Sequence, residues 1–451
     1  MKRVELACVD MGKPVFTPPV QTSHLYYRLT DILVWAGVTR YHRIRGLHGF
    51  EHLPQGNEPA IVVSNHQNGM MDPLISCAFV PRQIHWLTRA DVFWNPVARH
   101  IMYGFNQMPI YRQRDRVADI RHRNDIIFDV CVERLQAGAV MGIFPEGNHN
   151  PFPSLRAFKG GLAALVERAV ERYPELKNIQ IMPIGLDYEH YADFKRQFQA
   201  RCGAPVAFAD LIDEEGKLDK VAFNDRLRDS LRQLAVDIQP AEAQPILHPA
   251  VRALRTTEMT WDEWQEVPGM LDRWESRWTS DEAWRDNVTS AFEAWESAWT
   301  DAGRPGRPEA WGSDPDQARQ PKSWAPVLRP LGWVANLPSW PASMLIRWWV
   351  ARTVKKEEFV STMSLGYGML LVPLTWMLWG GIAAAFASPG WIVFAAMWAW
   401  GQVGSKFHDW VVGQNHHHRD AVDGREFWTG SQPAQVTLRN AWLNYWQALK
   451  G

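Results

Sequence analysis

The longest uncharged stretch of the chain runs over residues 359–405 and contains no Asp, Glu, Lys or Arg. Within it, residues 365–387 form an apolar run long enough to cross about 30 Å of hydrocarbon as a helix. Ser388-Pro389-Gly390 indicates a turn, and residues 391–405 form a second, shorter apolar run. We therefore predict a two-helix hairpin, either inserted in a membrane or buried in a soluble domain.

Basic residues beside this stretch favour the membrane alternative. Lys355 and Lys356 precede the stretch and Lys406 follows it, which is typical of a hairpin with both ends on the cytoplasmic side. The neighbouring Glu357 and Glu358 weigh less, because acidic residues contribute little to membrane topology. We predict an integral membrane protein with both flanking segments on the cytoplasmic face and with membrane lipids as partners.

The rest of the composition is that of an ordinary globular protein, with 46% hydrophobic and 22% charged residues. The net charge of −1 gives no overall field that attracts nucleic acid, so no nucleic-acid partner is expected. Of the 25 tryptophans, only Trp35, Trp86 and Trp94 lie before residue 245. This change in composition predicts a domain boundary near residue 245.

Short β-like runs alternate with helical stretches between residues 58 and 245, which predicts an α/β domain with a central sheet. Strands are expected at 60–64, 83–87, 108–111, 140–144 and 179–186, with helices that include 117–137 and 159–173. The predicted organisation has six segments. They are a lead-in with an amphipathic helix (1–57), the α/β domain (58–245), an acidic Trp-rich helical region (246–302), a Pro-rich connector (303–358), the hairpin (359–405) and a polar, amphipathic tail (406–451).

The Trp-rich region is predicted to form two helices separated at Pro268-Gly269. Capping boxes at Thr260…Glu263 and Thr279…Glu282 indicate their starts. Five apolar residues of the second helix share one face, which is either a packed seam or a lid or partner-docking surface. They are Trp284, Val288, Phe292, Trp295 and Trp299. The amphipathic stretches 25–49 and 433–449 either pack on the body of the protein or lie in a membrane interface.

His66 and Asp72 stand six residues apart in S-N-H-Q-N-G-M-M-D-P, directly after the strand expected at 60–64. Because Asp72 precedes Pro73, we expect Asp72 to cap a helix. A carboxylate bound to one imidazole nitrogen raises the basicity of the other, which then accepts a proton from a hydroxyl. The alternative is a capping Asp beside an unrelated loop His.

Charged residues also follow two other expected strands. Arg112 follows Tyr111 and is suited to a phosphate, because its guanidinium pairs with two oxygens at once. After the strand at 140–144, Glu146 and Gly147 form a sharp turn that leaves a carboxylate at the sheet edge to hold a polyol hydroxyl. Lys159 offers an ammonium group at a helix start, which is a further anion site.

Four ordered blocks within residues 58–190 resemble those of the glycerophospholipid O-acyltransferases, which include glycerol-3-phosphate and lysophosphatidic acid acyltransferases. The blocks are N-H-Q-N-G-M-M-D, the segment ending Pro109-Ile110-Tyr111-Arg112, Phe144-Pro145-Glu146-Gly147 and Met182-Pro183-Ile184. The resemblance implies the fold of that family, a central mixed sheet flanked by helices. Five residues rather than the usual four separate His66 from Asp72, and Asn148-His149 replace Thr-Arg in block three. Both departures are similar to the glycerol-3-phosphate acyltransferase branch, which also tends to carry a hydrophobic hairpin after the catalytic domain.

The resemblance implies a single displacement without metal or cofactor. His66, held by Asp72, would deprotonate an acceptor hydroxyl that attacks the thioester of acyl-CoA or acyl-carrier protein. Arg112 and Lys159 would hold the phosphate of a phosphorylated glycerol acceptor, while Glu146 would orient its glycerol backbone. The acceptor stays open among glycerol-3-phosphate, dihydroxyacetone phosphate and a lysolipid.

Two other classes of function stay open at this point. A membrane-anchored lipid-binding protein with an inactive acyltransferase fold would keep the same four blocks. A metal-dependent hydrolase would use His416, His417 and His418 in N-H-H-H-R-D.

Overall fold

The computed structural model describes residues 24–53, 56–115, 117–149, 152–254, 261–317 and 320–451. Within these residues, seven strands form one sheet in the order β1-β7-β6-β2-β5-β3-β4. The strands are β1 (Arg43–His48), β2 (Ala60–Ser64), β3 (Ile84–Arg89), β4 (Met108–Ile110), β5 (Val140–Ile143), β6 (Gln180–Tyr188) and β7 (Gln197–Cys202).

The sheet is mixed, as predicted. Strands β6, β2, β5, β3 and β4 are mutually parallel neighbours, whereas β7 runs antiparallel to β6 and parallel to β1. The carboxyl ends of the five parallel strands therefore meet at one edge of the sheet. In open α/β sheets this edge is where ligands bind.

The structure contains the five predicted strands and two that were not predicted, β1 and β7. Strand β1 lies inside 25–49, which was predicted as helix, so the sheet begins within the segment 1–57 that was predicted to precede the domain. The pairing register of β1 shifts between Ile44 and Gly46, which interrupts the two-residue repeat of a regular strand. Its sequence R-I-R-G-L-H accordingly lacks a clean alternation of polar and apolar residues. The helix preceding it ends earlier than expected, at Tyr41.

Helices cover both faces of the sheet. They are α1 (His24–Tyr41), α2 (Met71–Phe79), α3 (Pro96–Gly104), α4 (Ile120–Gln136), α5 (Gly161–Arg172) and α6 (Lys220–Arg232). Alternate residues of β2 enter two different cores: Ile61 and Val63 pack with α4, α5 and α6, while Ala60 and Val62 pack with α1 and α2. Strand β2 is thereby buried on both faces, which fixes the position of the loop that follows it.

A second core, rich in tryptophan, lies on helices α7 (Gln244–Ala253), α8 (Trp261–Ser280), α9 (Glu282–Asp301), α10 (Pro308–Trp311) and α15 (Pro433–Lys450). Trp295 on α9 contacts Trp442 on α15 with ring centroids 5.2 Å apart. The predicted apolar face of α9 is therefore a packed seam. For the C-terminal helix the structure favours packing on the body, since Leu438, Trp442 and Trp446 are buried in this core.

The break between α8 and α9 lies at Asp281 and not at Pro268-Gly269, which is a correction to the prediction. Pro268 lies inside α8, while the Asp281 carboxylate accepts a hydrogen bond from the N–H of Trp284 at 2.9 Å and so starts α9. Thr279 belongs to the last turn of α8 and caps nothing. Thr260, the start of the other predicted capping box, lies outside the described residues.

The Pro-rich connector and the hairpin contain α11 (Arg329–Ala335), α12 (Trp340–Thr353), α13 (Val360–Ala385) and α14 (Gly390–Thr429). Prolines stand in the first turns of α11 and α12. They are tolerated there because a backbone N–H in the first turn has no acceptor within the helix. The turn between α13 and α14 is where the sequence predicted it. However, α14 continues past the predicted boundary at residue 405, because its second half packs against α10 and α11.

Among the described residues, one helix has the length and composition needed to cross a membrane, and it covers Glu357–Ala385. Helix α14 packs along α13 as an antiparallel partner, but its apolar part is shorter. Helices α13 and α14 are therefore adjacent and antiparallel, and the two-helix membrane hairpin stays a prediction.

Candidate active site

His66 lies just after β2, at the carboxyl edge of the sheet, and is bound to Asp72 at the start of α2. The two side chains meet with Nδ1 of His66 2.8 Å from Oδ2 of Asp72. Asp72 is fully buried, whereas 14% of the His66 side chain is exposed. With Nδ1 taken by the carboxylate, Nε2 is the nitrogen left to face a substrate.

The five residues between His66 and Asp72 form a compact turn. Oδ2 of Asp72 accepts hydrogen bonds at 2.8 Å from the backbone N–H groups of both Gln67 and Asn68. Gly69 has a φ of +37°, and the N–H of Met71 closes the turn on the Asn68 carbonyl at 2.7 Å. The extra residue is therefore accommodated without separating the pair.

Asp72 does not cap α2, which corrects the prediction from the Asp-Pro sequence. Helix α2 begins at Met71, so Asp72 lies in its first turn and points back towards the preceding loop. Its remaining oxygen, Oδ1, accepts the hydroxyl of Tyr188 from the end of β6. Sequence reasoning gave Tyr188 no role, although it lies only four residues after Ile184, the last residue of block four.

The imidazole of His66 is held between aromatic rings. Phe144, which follows β5, stacks on it with centroids 4.1 Å apart and planes 14° from parallel. Trp86 on β3 stacks in turn on Phe144 at 4.9 Å. His149 approaches the edge of the His66 ring, with centroids 5.7 Å apart. The stacking on Phe144 and the hydrogen bond to Asp72 together hold the imidazole in a single orientation.

Glu146 supports the loop of His66 instead of opening towards a ligand. Its Oε1 accepts from the backbone N–H of His66 and its Oε2 from that of Arg156, each at 3.0 Å. Glu146 is 1% exposed, and this burial raises its pKa to about 7 against the opposing effect of the two backbone hydrogen bonds. A contact with a glycerol backbone would require an oxygen of Glu146 to become accessible, and that contact stays a prediction.

Gly147 and Lys159 lie together next to Glu146. Gly147 has a φ of +66°, which favours glycine, and its N–H donates to the Phe144 carbonyl at 3.1 Å. A Cβ on Gly147 would lie 3.1 Å from Cγ of Lys159, so the lysine stem crosses this turn. Lys159 is exposed just before α5, as predicted, which leaves its ammonium group available to an anion.

Arg112 shares the carboxyl edge but stands apart from His66. It follows β4, which is separated from β2 by β5 and β3, so three strand spacings of about 14 Å in total lie between the two strands. Its Nη2 lies 2.8 Å from Oδ1 of Asp115 and 3.4 Å from Oδ2 of Asp91. The sequence did not indicate that these carboxylates already pair with the guanidinium.

Residues 358–361, at the start of the apolar helix, close the site from the far end of the chain. Nε2 of His149 lies 2.8 Å from Oε1 of Glu358. Ser361 donates a hydrogen bond to Oδ1 of Asn68 at 2.7 Å. The backbone carbonyl of Glu358 comes so close to Gly69 that a Cβ there would lie 2.6 Å from it. Nothing in the sequence pattern indicated that this segment touches the loop after β2.

The histidine run on α14 is not arranged as a ligand set for a metal ion. Adjacent positions on a helix point about 100° apart, so three consecutive side chains do not converge on one ion. Nη2 of Arg419 lies 3.0 Å from Nδ1 of His416, which places a cation where a metal ion would bind. The geometry therefore gives the metal-dependent hydrolase alternative no support.

Comparison with known proteins places these observations in a family. Residues 45–187 match the family model described as Acyltransferase. The 1-acyl-sn-glycerol-3-phosphate acyltransferase LPAT1, chloroplastic, of Arabidopsis thaliana is 28% identical over 156 residues, which cover 34% of this chain and 42% of that protein. Glycerol-3-phosphate O-acyltransferase 2 of Saccharomyces cerevisiae is 32% identical over 83 residues, which cover 18% of this chain and 11% of that protein.

The similarity is thus concentrated in the α/β domain, and the chain spans less than half the length of these relatives. The crystal structure of the 1-acyl-sn-glycerophosphate acyltransferase PlsC from Thermotoga maritima aligns with 46% of this chain and 78% of that chain. Its sequence identity is 16% and its TM-score 0.32, which is too distant to bear on details of the site. The family match and the matched relatives show that this chain carries an acyltransferase domain of the glycerophospholipid acyltransferase type.

Proposed function

We propose that the protein is a membrane-bound O-acyltransferase of phospholipid synthesis. It moves a fatty acyl group from an acyl thioester, acyl-CoA or acyl-carrier protein, to a hydroxyl of glycerol-3-phosphate or 1-acylglycerol-3-phosphate. The observation that carries the proposal is the His66–Asp72 pair at the carboxyl edge of the sheet, in which the carboxylate binds Nδ1 and leaves Nε2 for the acceptor hydroxyl. Matched relatives in yeast are named as glycerol-3-phosphate acyltransferases, which favours that branch.

The reaction follows from the protonation states that the pair allows. Asp72 accepts the Nδ1 proton of His66, so Nε2 carries a lone pair and takes the proton of the acceptor hydroxyl. The hydroxyl oxygen then forms a bond to the thioester carbonyl carbon. As the carbonyl re-forms, the carbon–sulfur bond breaks and the thiolate leaves, taking back a proton from His66. The Asp72 carboxylate stabilises the imidazolium that exists between these two transfers.

Lys159 is the better placed of the two cations proposed to hold the acceptor phosphate. Its stem crosses Gly147 in the same turn as Glu146, whose oxygen binds the backbone of His66. Arg112 would contact the phosphate from across the sheet, with a guanidinium whose charge two aspartates already partly neutralise. We therefore expect the loss of Lys159 to raise the KM for the acceptor more than the loss of Arg112.

Attachment to the membrane is proposed from the apolar helix and its exposed side chains. Large apolar residues of α13 and the start of α14 are exposed in the absence of a bilayer, which is unusual for a soluble surface of this extent. They include Leu370, Leu374, Leu378, Ile382, Phe386, Trp391 and Ile392. Lys355, Lys356 and Lys406 favour an integral hairpin with the catalytic domain on the cytoplasmic face.

The test is thiol release by the detergent-purified protein. Palmitoyl-CoA and palmitoyl-acyl-carrier protein serve as donors, with glycerol-3-phosphate, dihydroxyacetone phosphate and 1-acylglycerol-3-phosphate as acceptors. We expect acceptor-dependent release that disappears in His66→Ala. Release without an acceptor would indicate a thioesterase, and no release with any pair would favour a lipid-binding protein with an inactive fold or an enzyme that acts on another lysolipid.

A further inference from the structure

His149 is a second imidazole at the same opening as His66. Its ring stands almost perpendicular to that of His66, at 88°, with centroids 5.7 Å apart. The two side chains are similarly enclosed, with 15% of His149 and 14% of His66 exposed. A small molecule that reaches Nε2 of His66 therefore also meets the ring of His149.

Glu358 determines which nitrogen of His149 is left for a ligand. Its Oε1 lies 2.8 Å from Nε2 of His149, and Lys356 stands 3.4 Å from the same oxygen. Burial lowers the pKa of His149, with further lowering from His66 and Lys356 and an opposing effect from Glu358. The ring is therefore neutral near pH 7: Nε2–H donates to the glutamate, and Nδ1 carries a lone pair.

The rest of the site holds this pair rigidly against the catalytic loop. Phe359 packs edge-on against His149 with centroids 5.5 Å apart, and the Glu358 carbonyl rests on Gly69. Ser361 ties the same segment to Asn68. As a result, the spacing between the Nε2 lone pair of His66 and the Nδ1 lone pair of His149 is set by the fold.

Two fixed acceptors at one opening match a substrate with two neighbouring hydroxyl donors. We propose that His149 is a specificity-determining residue whose Nδ1 accepts a hydrogen bond from the second hydroxyl of a vicinal-diol phosphate while His66 deprotonates the first. This inference rests on the proposed function and narrows its acceptor to glycerol-3-phosphate. Dihydroxyacetone phosphate presents a carbonyl at that position and 1-acylglycerol-3-phosphate presents an ester, and neither group can donate to Nδ1.

The experiment compares kcat/KM for glycerol-3-phosphate with kcat/KM for dihydroxyacetone phosphate, using the detergent-solubilised full chain and palmitoyl-CoA. For His149→Ala we expect a loss of about tenfold or more with glycerol-3-phosphate, which is the effect of one substrate hydrogen bond, and a loss below about threefold with dihydroxyacetone phosphate. Glu358→Ala should show the same pattern of losses as His149→Ala. Glu358→Gln keeps an oxygen acceptor for Nε2–H and should therefore retain most of the preference for glycerol-3-phosphate over dihydroxyacetone phosphate. His122→Ala, a change at an exposed histidine of α4, should leave both values unchanged.

Equal losses with both acceptors in His149→Ala would overturn the inference, because they would show a purely structural role. A wild-type preference for dihydroxyacetone phosphate would overturn it as well. If the wild type acylates neither compound, the inference fails before any variant is measured. The proposed function fails only if thiol release is also absent with 1-acylglycerol-3-phosphate and with palmitoyl-acyl-carrier protein, so the two failures are distinguishable. Thermal unfolding midpoints identify variants that do not fold, and the two Glu358 variants then test the same claim without changing His149.

Discussion

Asp72 is surrounded by hydrogen-bond donors to both of its side-chain oxygens. His66, Gln67 and Asn68 donate to one oxygen and Tyr188 to the other, in a position with no exposure to water. A buried carboxylate needs such donors because water is not there to solvate it. The orientation of His66 therefore depends on residues from β2, α2 and β6 together.

Tyr188→Phe tests this arrangement without touching the imidazole. The change leaves Oδ1 of a buried carboxylate without the phenol donor, so we expect a destabilisation of about 1–3 kcal/mol and a lower kcat with an unchanged acceptor KM. Thermal unfolding and steady-state kinetics measure the two effects. Tyr103→Phe on α3 is the matched control. A Tyr188→Phe enzyme with wild-type stability and kcat would show that Asp72 needs no support from β6.

Glu146 gives the folded state a specific dependence on pH. Its pKa rises on folding from an ordinary value of 4.5 to about 7 because the group is buried, so its contribution to stability is present at low pH and is lost as pH rises through 7. Compared with Glu146→Gln, which does not titrate, we expect the wild type to lose about 3 kcal/mol of relative stability between pH 4.5 and 7. Unfolding midpoints of both proteins across this range provide the measurement, and a constant difference would contradict it.

The sequence pattern predicted the main residues of this site, but not all of the side chains that contact them. His66, Asp72, Glu146, Gly147 and Lys159 do lie around one edge of the sheet. Tyr188 and Glu358 were missed because their contacts join segments far apart in the chain. Asp72 was misplaced as a cap for a physical reason: its carboxylate satisfies the loop N–H groups behind it rather than those of the helix ahead.

At the scale of elements, the unusual feature is the contact between the start of α13 and the loop after β2. The two segments are almost 300 residues apart in sequence, and they meet through Ser361 and Asn68 and through the close approach of the Glu358 carbonyl to Gly69. Glu358 also contacts His149 in the loop after β5. The helix that we propose to enter the membrane thus also forms one wall of the site. Its position is expected to affect catalysis directly.

Gly69→Ala should separate these two elements. The new Cβ would lie 2.6 Å from the Glu358 carbonyl, and Gly69 already has a positive φ, so the helix start has to move away. We expect a destabilisation of about 1–3 kcal/mol and a marked loss of acyl transfer. Gly366→Ala on α13 is the control, since a Cβ there meets nothing within 4 Å. Wild-type activity in Gly69→Ala would mean that this contact is dispensable.

The elements themselves were predicted unevenly. The five parallel strands coincide with apolar runs that are largely buried, and this pattern is visible in the sequence. Strands β1 and β7 were missed because they pair at the edge of the sheet, where R-I-R-G-L-H and Q-F-Q-A-R-C carry many polar residues. Pro268 was taken as a helix break, but packing in the tryptophan-rich core outweighs the hydrogen bond that proline removes.

In the whole molecule, the first part of the apolar helix α13 packs on the catalytic domain, and its second part exposes apolar side chains. Its first part packs on the catalytic domain, where Leu365 contacts Gly37 of α1, and large exposed apolar residues begin at Leu370. Residues 370–386 then extend for about 25 Å, somewhat less than a hydrocarbon core of about 30 Å. The catalytic domain should consequently lie directly against the membrane surface, with the opening at His66 close to the lipid.

Attachment through apolar side chains predicts that high salt does not release the protein from the membrane. Screening by 1 M salt weakens attraction between charges but not hydrophobic insertion. We expect membranes washed with 1 M NaCl to keep the protein, while detergent releases it. Immunoblots of the washed pellet and the supernatant provide the readout. Release by salt alone would show that the protein is held at the surface by charge.

The central claim is that His66, oriented by Asp72, is the base of an acyl transfer to a phosphorylated glycerol. The most direct measurement is thiol release from palmitoyl-CoA in the presence of glycerol-3-phosphate, compared between the wild type, His66→Ala and Asp72→Asn. We predict acceptor-dependent release in the wild type, a loss of about 10²–10⁴-fold in both variants, and unchanged folding of His66→Ala. Equal release by the wild type and by His66→Ala would contradict the account.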